Sequence, residues 1–194
     1  WSEKIGFVAG LSTIEEMEKT KSWEKIIYLG KYINKEWLKL KAKYNLDNLH
    51  LLTNALGNEN KSIQLVLPEV DGVKKQGLSH VVDAKMTEFN DGSIFETECL
   101  KLDDQPELKN KKIDAIKIDV ENFEYEVFLG AENILKTDKP FIYCELWDNK
   151  NRLDCFDYLQ SLGYKTMVLQ HGKLEAIQSN PSHIQNFFFI HKHP

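Results

Sequence analysis

Hydrophobic and polar positions along the chain follow two periods, one typical of helices and one typical of strands. Helical spacing of apolar residues predicts helices over residues 34–44, 123–135 and 152–162. Short apolar runs predict strands over residues 24–29, 49–53, 63–67, 95–100, 113–120, 141–144, 164–169 and 187–190. Alternating strands and helices are typical of an α/β protein with a doubly wound, Rossmann-like, mostly parallel sheet. No helix separates the last two predicted strands, so we expect them to form an antiparallel pair at the C-terminal edge of the sheet.

Residues 68–92 break this alternation. The strand predicted over 63–67 ends at Pro68, which favours an exposed or edge strand. The following residues mix Gly, Asp, Lys and Ser without a sustained period. A loop of this length in a compact domain is usually functional or disordered. We therefore expect a single domain over residues 1–194, with a mobile, lid-like insertion at 68–92.

Composition and charge narrow the classes of partner. The chain has 25 basic and 30 acidic residues, a net charge of −5, and no basic footprint, so we expect no nucleic-acid partner. No stretch approaches the roughly 20 apolar residues of a membrane span, so we expect no membrane partner. Cys99, Cys144 and Cys155 lack the spacing of a metal site, and an odd number of cysteines fits reduced thiols. The sequence thus predicts a cytoplasmic protein without a metal site.

Two carboxylates stand out at the end of the strand predicted over 113–120. Asp119 and Glu121 leave this strand where the next helix begins, and Glu145 ends the following strand. In doubly wound sheets, ligands bind outside the carboxyl ends of the strands. Asp119 and Glu121 therefore have two interpretations. They cap the helix, whose N-terminus favours negative charge, or they face a ligand, to hold a cation or take a proton from a bound nucleophile.

The same stretch carries a family resemblance. Lys117–Glu124 (KIDVENFE), followed by Val127–Ala131, resembles the signature of the FkbM-type S-adenosylmethionine-dependent methyltransferases. That signature reads Lys-Ile-Asp-Val-Glu-Gly, with a Glu two residues later and then Leu-x-Gly-Ala. Further motifs of the family match, over roughly residues 12 to 191, at Ala55–Gly57, Leu102–Asp104, Pro140 with Glu145, and Gly163–Tyr164.

The resemblance implies a class I methyltransferase fold and S-adenosylmethionine as cofactor. It implies an O-methyltransferase that acts on a hydroxyl of a small-molecule acceptor, a sugar or glycan or a secondary metabolite. The cofactor-binding residues that it implies are Gly30, Asn54, Ala55, Leu56 and Asp119.

Candidate catalytic and substrate residues follow from the same expectation. Asp119 or Glu121 is the candidate base, and His80 is a further candidate because it lies in the predicted lid. Ser79, beside His80, and Glu145 are candidate substrate contacts. Trp147 is either a core aromatic residue or a platform on which a sugar ring stacks.

Three positions depart from the family pattern. The family has a glycine-containing turn after its first strand. Here, either that strand lies upstream of Trp1, or residues 4–9 form it with Gly10 as a degenerate turn. The family has Glu-Pro after its second strand, whereas this chain has Leu29-Gly30, and leucine cannot accept hydrogen bonds from ribose hydroxyls. Asn122 replaces a glycine, but Asn tolerates positive φ. These departures motivate an alternative function, a catalytically decayed domain that acts as a carbohydrate-binding or scaffolding module.

Overall fold

The computed structural model describes residues 35, 38–39, 41–45, 48, 50, 52–75, 78–82, 89–177 and 180–191. Contacts divide the chain into two units, Trp1–Thr53 and Asn54–Pro194. In the first unit, the described residues between 35 and 44 are helical, as predicted, whereas residues 50, 52 and 53 are not in a strand. The strand predicted over 24–29 and the alternatives for the first strand lie outside the described residues.

The second unit begins with a sheet built around one long hairpin. Its strands are β1 (Ala55–Leu56), β2 (Lys61–Val70), β3 (Val73–Lys74), β4 (His80–Val81) and β5 (Gly92–Leu100). Strands β2 and β5 pair antiparallel from Lys61 opposite Cys99 to Pro68 opposite Gly92. On the other side of β2 lie the short strands β3 and β4, and β1 pairs parallel with β5.

One prediction for this region is wrong. Strand β2 is not an edge strand, because it lies between β5 and the short strands. Pro68 is accommodated because its backbone faces β3 and β4: its carbonyl accepts from the N–H of Lys75, while the N–H of Glu69 donates to Asp91 on the β5 side. Within residues 68–92, the described residues include the last three of β2, the whole of β3 and β4, and the first residue of β5, and the others lie outside strands. The mobility of the segment stays a prediction.

The second sheet comprises β6 (Ala115–Ile118), β7 (Phe141–Glu145), β8 (Tyr164–Gln170), β9 (Lys173–Ala176) and β10 (Asn186–His191). The strand order is β6-β7-β10-β8-β9. Strands β6 and β7 are parallel, and β10 is antiparallel to both β7 and β8, so β6, β7 and β8 run in one direction. The fold is α/β with mixed sheets.

The described strands do not confirm a mostly parallel sheet. Of their eight strand pairs, two are parallel and six are antiparallel. The predicted antiparallel pairing of the last two strands is confirmed for β8 and β10, but β10 lies inside the sheet. It pairs with β7 on one side and β8 on the other, and its Phe187 and Phe189 are fully buried in the core, whereas β9 has no buried residue and forms the edge.

Three helices cover one face of the second sheet. They are α1 (Glu124–Leu129), α2 (Glu132–Thr137) and α3 (Lys150–Ser161), and two short 3-10 helices span Leu102–Asp104 and Pro106–Leu108. The core that they form with the sheet includes Ile118, Val127, Phe128, Leu135, Ile142, Cys144, Cys155, Leu159, Phe187 and Phe189. The three cysteines are free and buried. Among the described residues, no helix has the length and apolarity needed to cross a membrane.

The helix predicted over 123–135 is two helices. The break falls at Gly130, where an added Cβ would lie 1.9 Å from the carbonyl oxygen of Gly57. The carboxylate of Asp103 then caps α2, because it accepts from the N–H groups of Asn133 (2.8 Å) and Ile134 (3.0 Å). The helix predicted over 152–162 is confirmed as α3, and Gly163 follows it at φ +90°.

Candidate active site

The candidate site lies at the carboxyl ends of β6 and β7. These strands are parallel, with Ile118 opposite Cys144, so the residues that follow Ile118 lie beside Glu145. Asp119 is exposed and forms an ion pair with Lys117 at 2.5 Å. Glu121 is half-buried. The structure therefore brings Asp119, Glu121 and Glu145 to one end of the sheet, as predicted from their positions in the sequence.

The backbone after β6 adopts a conformation that side chains rarely tolerate. Glu121 has φ +50° and Asn122 has φ +72°. Left-handed backbone costs most L-residues about 1–2 kcal/mol, and Asn is one of the residues that visit it routinely. Asn122 thus adopts the positive φ expected of it in place of the family glycine. Glu is not one of these residues, so the conformation of Glu121 is strained, and such strain clusters at functional sites.

The surroundings of Glu121 favour the protonated form of its carboxyl group. Burial raises the pKa of Glu121, and the negative charges of Asp119, Glu145 and Glu124 raise it further. The charge of His80 opposes this rise. A carboxylate with a raised pKa is a stronger base, which suits proton transfer near neutral pH.

The turn that carries Glu121 is held by the side chain of Glu124, which is 2% exposed. Glu124 Oε1 accepts from the backbone N–H groups of Val120 (3.3 Å) and Asn122 (3.2 Å). Its Oε2 accepts from Nδ2 of Asn151 on α3 at 2.7 Å. Burial raises the pKa of Glu124, while these hydrogen bonds lower it.

The structure does not support the capping interpretation of Asp119 and Glu121. The N-cap residue of α1 is Phe123, and the side chain that accepts a hydrogen bond from the first turn is Asn151, which binds the N–H of Tyr125 at 3.4 Å. The cluster of like charges around Glu121 also exceeds what a helix N-terminus requires.

His80 lies close enough to affect Glu121, but its ring is engaged elsewhere. It is 2% exposed, with Nδ1 2.8 Å from the carbonyl oxygen of Leu78 and Nε2 3.1 Å from Oδ1 of Asn90. Because the carbonyl only accepts, Nδ1 carries a proton and donates to it. Ser79 is exposed beside it. The contacts of His80 are thus those of a ring fixed within its own segment.

The other residues predicted to belong to the site have fewer contacts that bear on it. Trp147 is half-buried two residues after Glu145. Leu56 packs against the core, and Asn54 Nδ2 donates to the carbonyl of Ala55 at 2.9 Å. Gly30 lies outside the described residues. In the part of the chain that the structure describes, no group of three or more His, Cys, Asp or Glu side chains could hold a metal ion.

The sequence analysis did not single out two asparagines of this site. Asn149 Nδ2 donates to Asn122 Oδ1 at 2.7 Å, and Asn151 binds Glu124. Asn149 is the N-cap residue of α3 and Asn151 lies in its first turn, and each follows its partner by 27 residues. A local signal existed only for Asn149, which caps α3 through its Oδ1, since Asn before a helix is a common cap.

The fold and site define an α/β protein with an anionic site at the ends of two parallel strands. The family model for the methyltransferase FkbM domain matches residues 12–166 of this chain. The chain therefore belongs to the FkbM methyltransferase domain family.

Among solved structures, the chain is similar to the methyltransferase FkbM from Methylobacillus flagellatus KT, solved at 2.20 Å. The two share 13% identity with a TM-score of 0.48, over 82% of this chain and 34% of that one. The aligned part of this chain thus spans about a third of that protein's length. No protein with a curated description matches the chain.

Proposed function

We propose that the chain is an S-adenosylmethionine-dependent O-methyltransferase that methylates a hydroxyl of a small-molecule acceptor, a sugar or secondary metabolite. The observation that carries the proposal is the family match over residues 12–166, which includes the whole loop from Asp119 to Asn122. A doubly wound, class I methyltransferase fold belongs to the same proposal.

Glu121 is the proposed base. With S-adenosylmethionine bound, the acceptor oxygen would take the methyl group, the cofactor would leave as its neutral thioether, and the Glu121 carboxylate would take the hydroxyl proton. The cofactor supplies the methyl group. Alignment of the reactants contributes most of the rate, and proton transfer to a positioned base contributes about 10²–10⁴-fold. Asp119 is the second candidate for the base.

The anionic end of the sheet suits the cofactor. S-adenosylmethionine carries a sulfonium and an ammonium, and carboxylates attract such cations. We propose that Asp119 lies at its methionine end, with Asn54, Ala55, Leu56 and Gly30 as further cofactor contacts. Glu145, Trp147 and Ser79 are the proposed contacts to the acceptor.

Ligand binding tests this proposal. S-adenosylmethionine or its demethylated product, titrated to millimolar concentration, should raise the melting temperature, because a ligand that binds only the folded state stabilises it. At 100 times the Kd of the ligand, the free energy of unfolding rises by about 2.7 kcal/mol. Calorimetry should then show a saturable heat. Transfer of labelled methyl to a panel of sugars, glycans and secondary metabolites identifies the acceptor. No melting shift and no heat with either ligand would contradict a working cofactor site.

The sequence at Leu29 favours a second candidate function, a carbohydrate-binding or scaffolding module with a decayed cofactor site. This candidate predicts glycan binding without S-adenosylmethionine binding. A glycan array probed with the labelled chain, read beside the cofactor titration, separates the two candidates.

A further inference from the structure

The loop that carries Glu121 is bound by two side chains from α1 and α3. Glu124 receives hydrogen bonds from the backbone of Val120 and Asn122, one residue on each side of Glu121. Its other oxygen is bound by Asn151. The side chain thus spans Glu121 and fixes the peptides on both sides of it.

Asn149 provides a second attachment. Its Nδ2 donates to Asn122 Oδ1 at 2.7 Å, while its Oδ1 accepts from the backbone N–H groups of Asn151 (2.9 Å) and Arg152 (3.4 Å). The loop is therefore tied to the first turn of α3 through two asparagines. Because α3 packs on the core through Cys155 and Leu159, this attachment is rigid.

The left-handed backbone at Glu121 explains why such bracing is needed. A residue held in a sparsely populated region of φ and ψ persists only when its surroundings over-determine it. Without the bonds from Glu124, extended or right-handed backbone would be favoured at Glu121, and its carboxylate would leave the group formed with Asp119 and Glu145.

We infer that Glu124 and Asn151 are positioning residues that hold the Glu121 carboxylate at the carboxyl ends of β6 and β7. The inference rests on the proposed function for its effect on catalysis. Its structural part, the conformation of Glu121, is testable separately.

The polarity of the Glu124–Asn151 pair supplies the test. In E124Q, the remaining side-chain oxygen can still accept from the two backbone N–H groups. The new NH₂ group then points toward Asn151 Nδ2, so two donors face each other. The double variant E124Q/N151D restores a donor and an acceptor. The second oxygen of the new carboxylate can still accept from the backbone N–H of Tyr125, which binds Asn151 Oδ1 at 3.4 Å in the native protein.

The experiment has a structural and a kinetic readout. NMR of the full chain measures the backbone shifts of Glu121, which report its φ, and the titration of its side-chain carboxyl. Methyl transfer by the same proteins gives kcat and KM. We expect E124Q to lose the left-handed shifts, to lower the pKa of Glu121 and to reduce kcat at least tenfold with KM little changed. E124Q/N151D should recover to within about threefold of the native kcat. D154N, which removes a carboxylate elsewhere on α3, is the control that should change nothing.

Specific results would overturn the inference. Native Glu121 shifts and titration in E124Q would do so even if no acceptor is known, which separates this failure from failure of the proposed function. Equal kcat in E124Q and the native protein, or no recovery in the double variant, would also contradict it. If E124Q does not fold, N151A, which leaves the two backbone bonds of Glu124 in place, should show the same changes in smaller size, and native behaviour of N151A would overturn the inference.

Discussion

Glu121 combines three properties that single residues rarely share. It has positive φ, it is half-buried, and its pKa is raised by burial and by three neighbouring carboxylates. Each property destabilises the folded chain, since each disfavours either the backbone conformation or the charged side chain. Their coincidence at the proposed base fits the trade of stability for activity at functional sites.

Replacement of Glu121 or Asp119 by Asn separates function from folding. We expect D119N to melt nearly as the native protein does, and E121N to melt at the same temperature or above it, because Asn tolerates left-handed backbone and carries no charge. At least one of the two variants should abolish methyl transfer. Paired thermal melts and turnover with labelled cofactor are the measurements.

The stability of E121N as a function of pH tests the direction in which the pKa of Glu121 is shifted. Because the folded pKa of Glu121 is raised above 4.5, its contribution to stability is present below that pH and lost as the pH rises through the folded pKa. The stability advantage of E121N should therefore grow with pH above about 4.5. An advantage that shrinks with pH, or turnover within a few-fold of native in both variants, would show that the site assignment is wrong.

At the scale of elements, close packing between chain-distant backbones decides where helices begin and end. Gly130 separates α1 from α2 because Gly57, at the end of β1, contacts it. Asp103, from a 3-10 helix, then caps α2. The segments that resemble family motifs at Ala55–Gly57, Leu102–Asp104 and Val127–Ala131 thus have structural roles in this chain. Together they dock β1 and the 3-10 helix against the helices behind the site.

A matched pair of glycine variants tests this docking. G130A places a Cβ against the Gly57 carbonyl and should cost about 3 kcal/mol or more. Gly172, in the β8–β9 turn, has φ +75° but nothing within 4 Å of an added Cβ, so G172A should cost only about 1 kcal/mol. Chemical denaturation measures both free energies of unfolding. A smaller loss in G130A than in G172A would contradict the close packing.

At the scale of the second unit, Arg152 joins three segments from the interior. It is fully buried, with NH2 donating to the carbonyl of Leu146 after β7. Its NH1 donates to Asp148, to Asn180 and to the carbonyl of Pro181. The guanidinium also lies 5.1 Å from the ring of Phe187 on β10. Arg152 therefore holds the segment that follows Glu145 against α3 and the connection to β10.

Removal of this guanidinium should destabilise the fold. R152M leaves the buried carbonyl of Leu146 without a donor, at about 1–3 kcal/mol, and removes the bonds to Asp148, Asn180 and Pro181, so we expect the melting temperature to fall by about 2–10 °C. R152K, which keeps the charge but not the fork of donors, should recover only part of the loss. K150M, at the exposed start of α3, is the control. A melting temperature of R152M within 1 °C of native would contradict this role.

Much of the second unit could be predicted where one segment carries its own signal. The apolar periods of the sequence predict strands β6, β7 and β8 and helix α3. Gly163, directly after α3, is typical of a residue that ends a helix. The motif around Asp119 and Glu121 identified the family together with the spaced motifs at Ala55–Gly57, Leu102–Asp104, Pro140 with Glu145, and Gly163–Tyr164. The sequence did not predict β9, the burial of His80, or the extension of β2 to Val70, because their partners determine them rather than their own composition.

The sequence by itself determined the local preferences: which residues favour helix or strand, which carboxylates follow β6 and β7, and that Asn122 tolerates positive φ. Tertiary structure alone decided that β10 lies between β7 and β8, that Gly57 divides one predicted helix into two, and that Glu124 and Asn151 bind the turn of Glu121. The physical reason is the separation along the chain of the residues that interact. A period or a cap depends on residues within a few positions of each other, whereas a close backbone contact or a buried hydrogen bond between residues 27 or more positions apart depends on how distant segments pack.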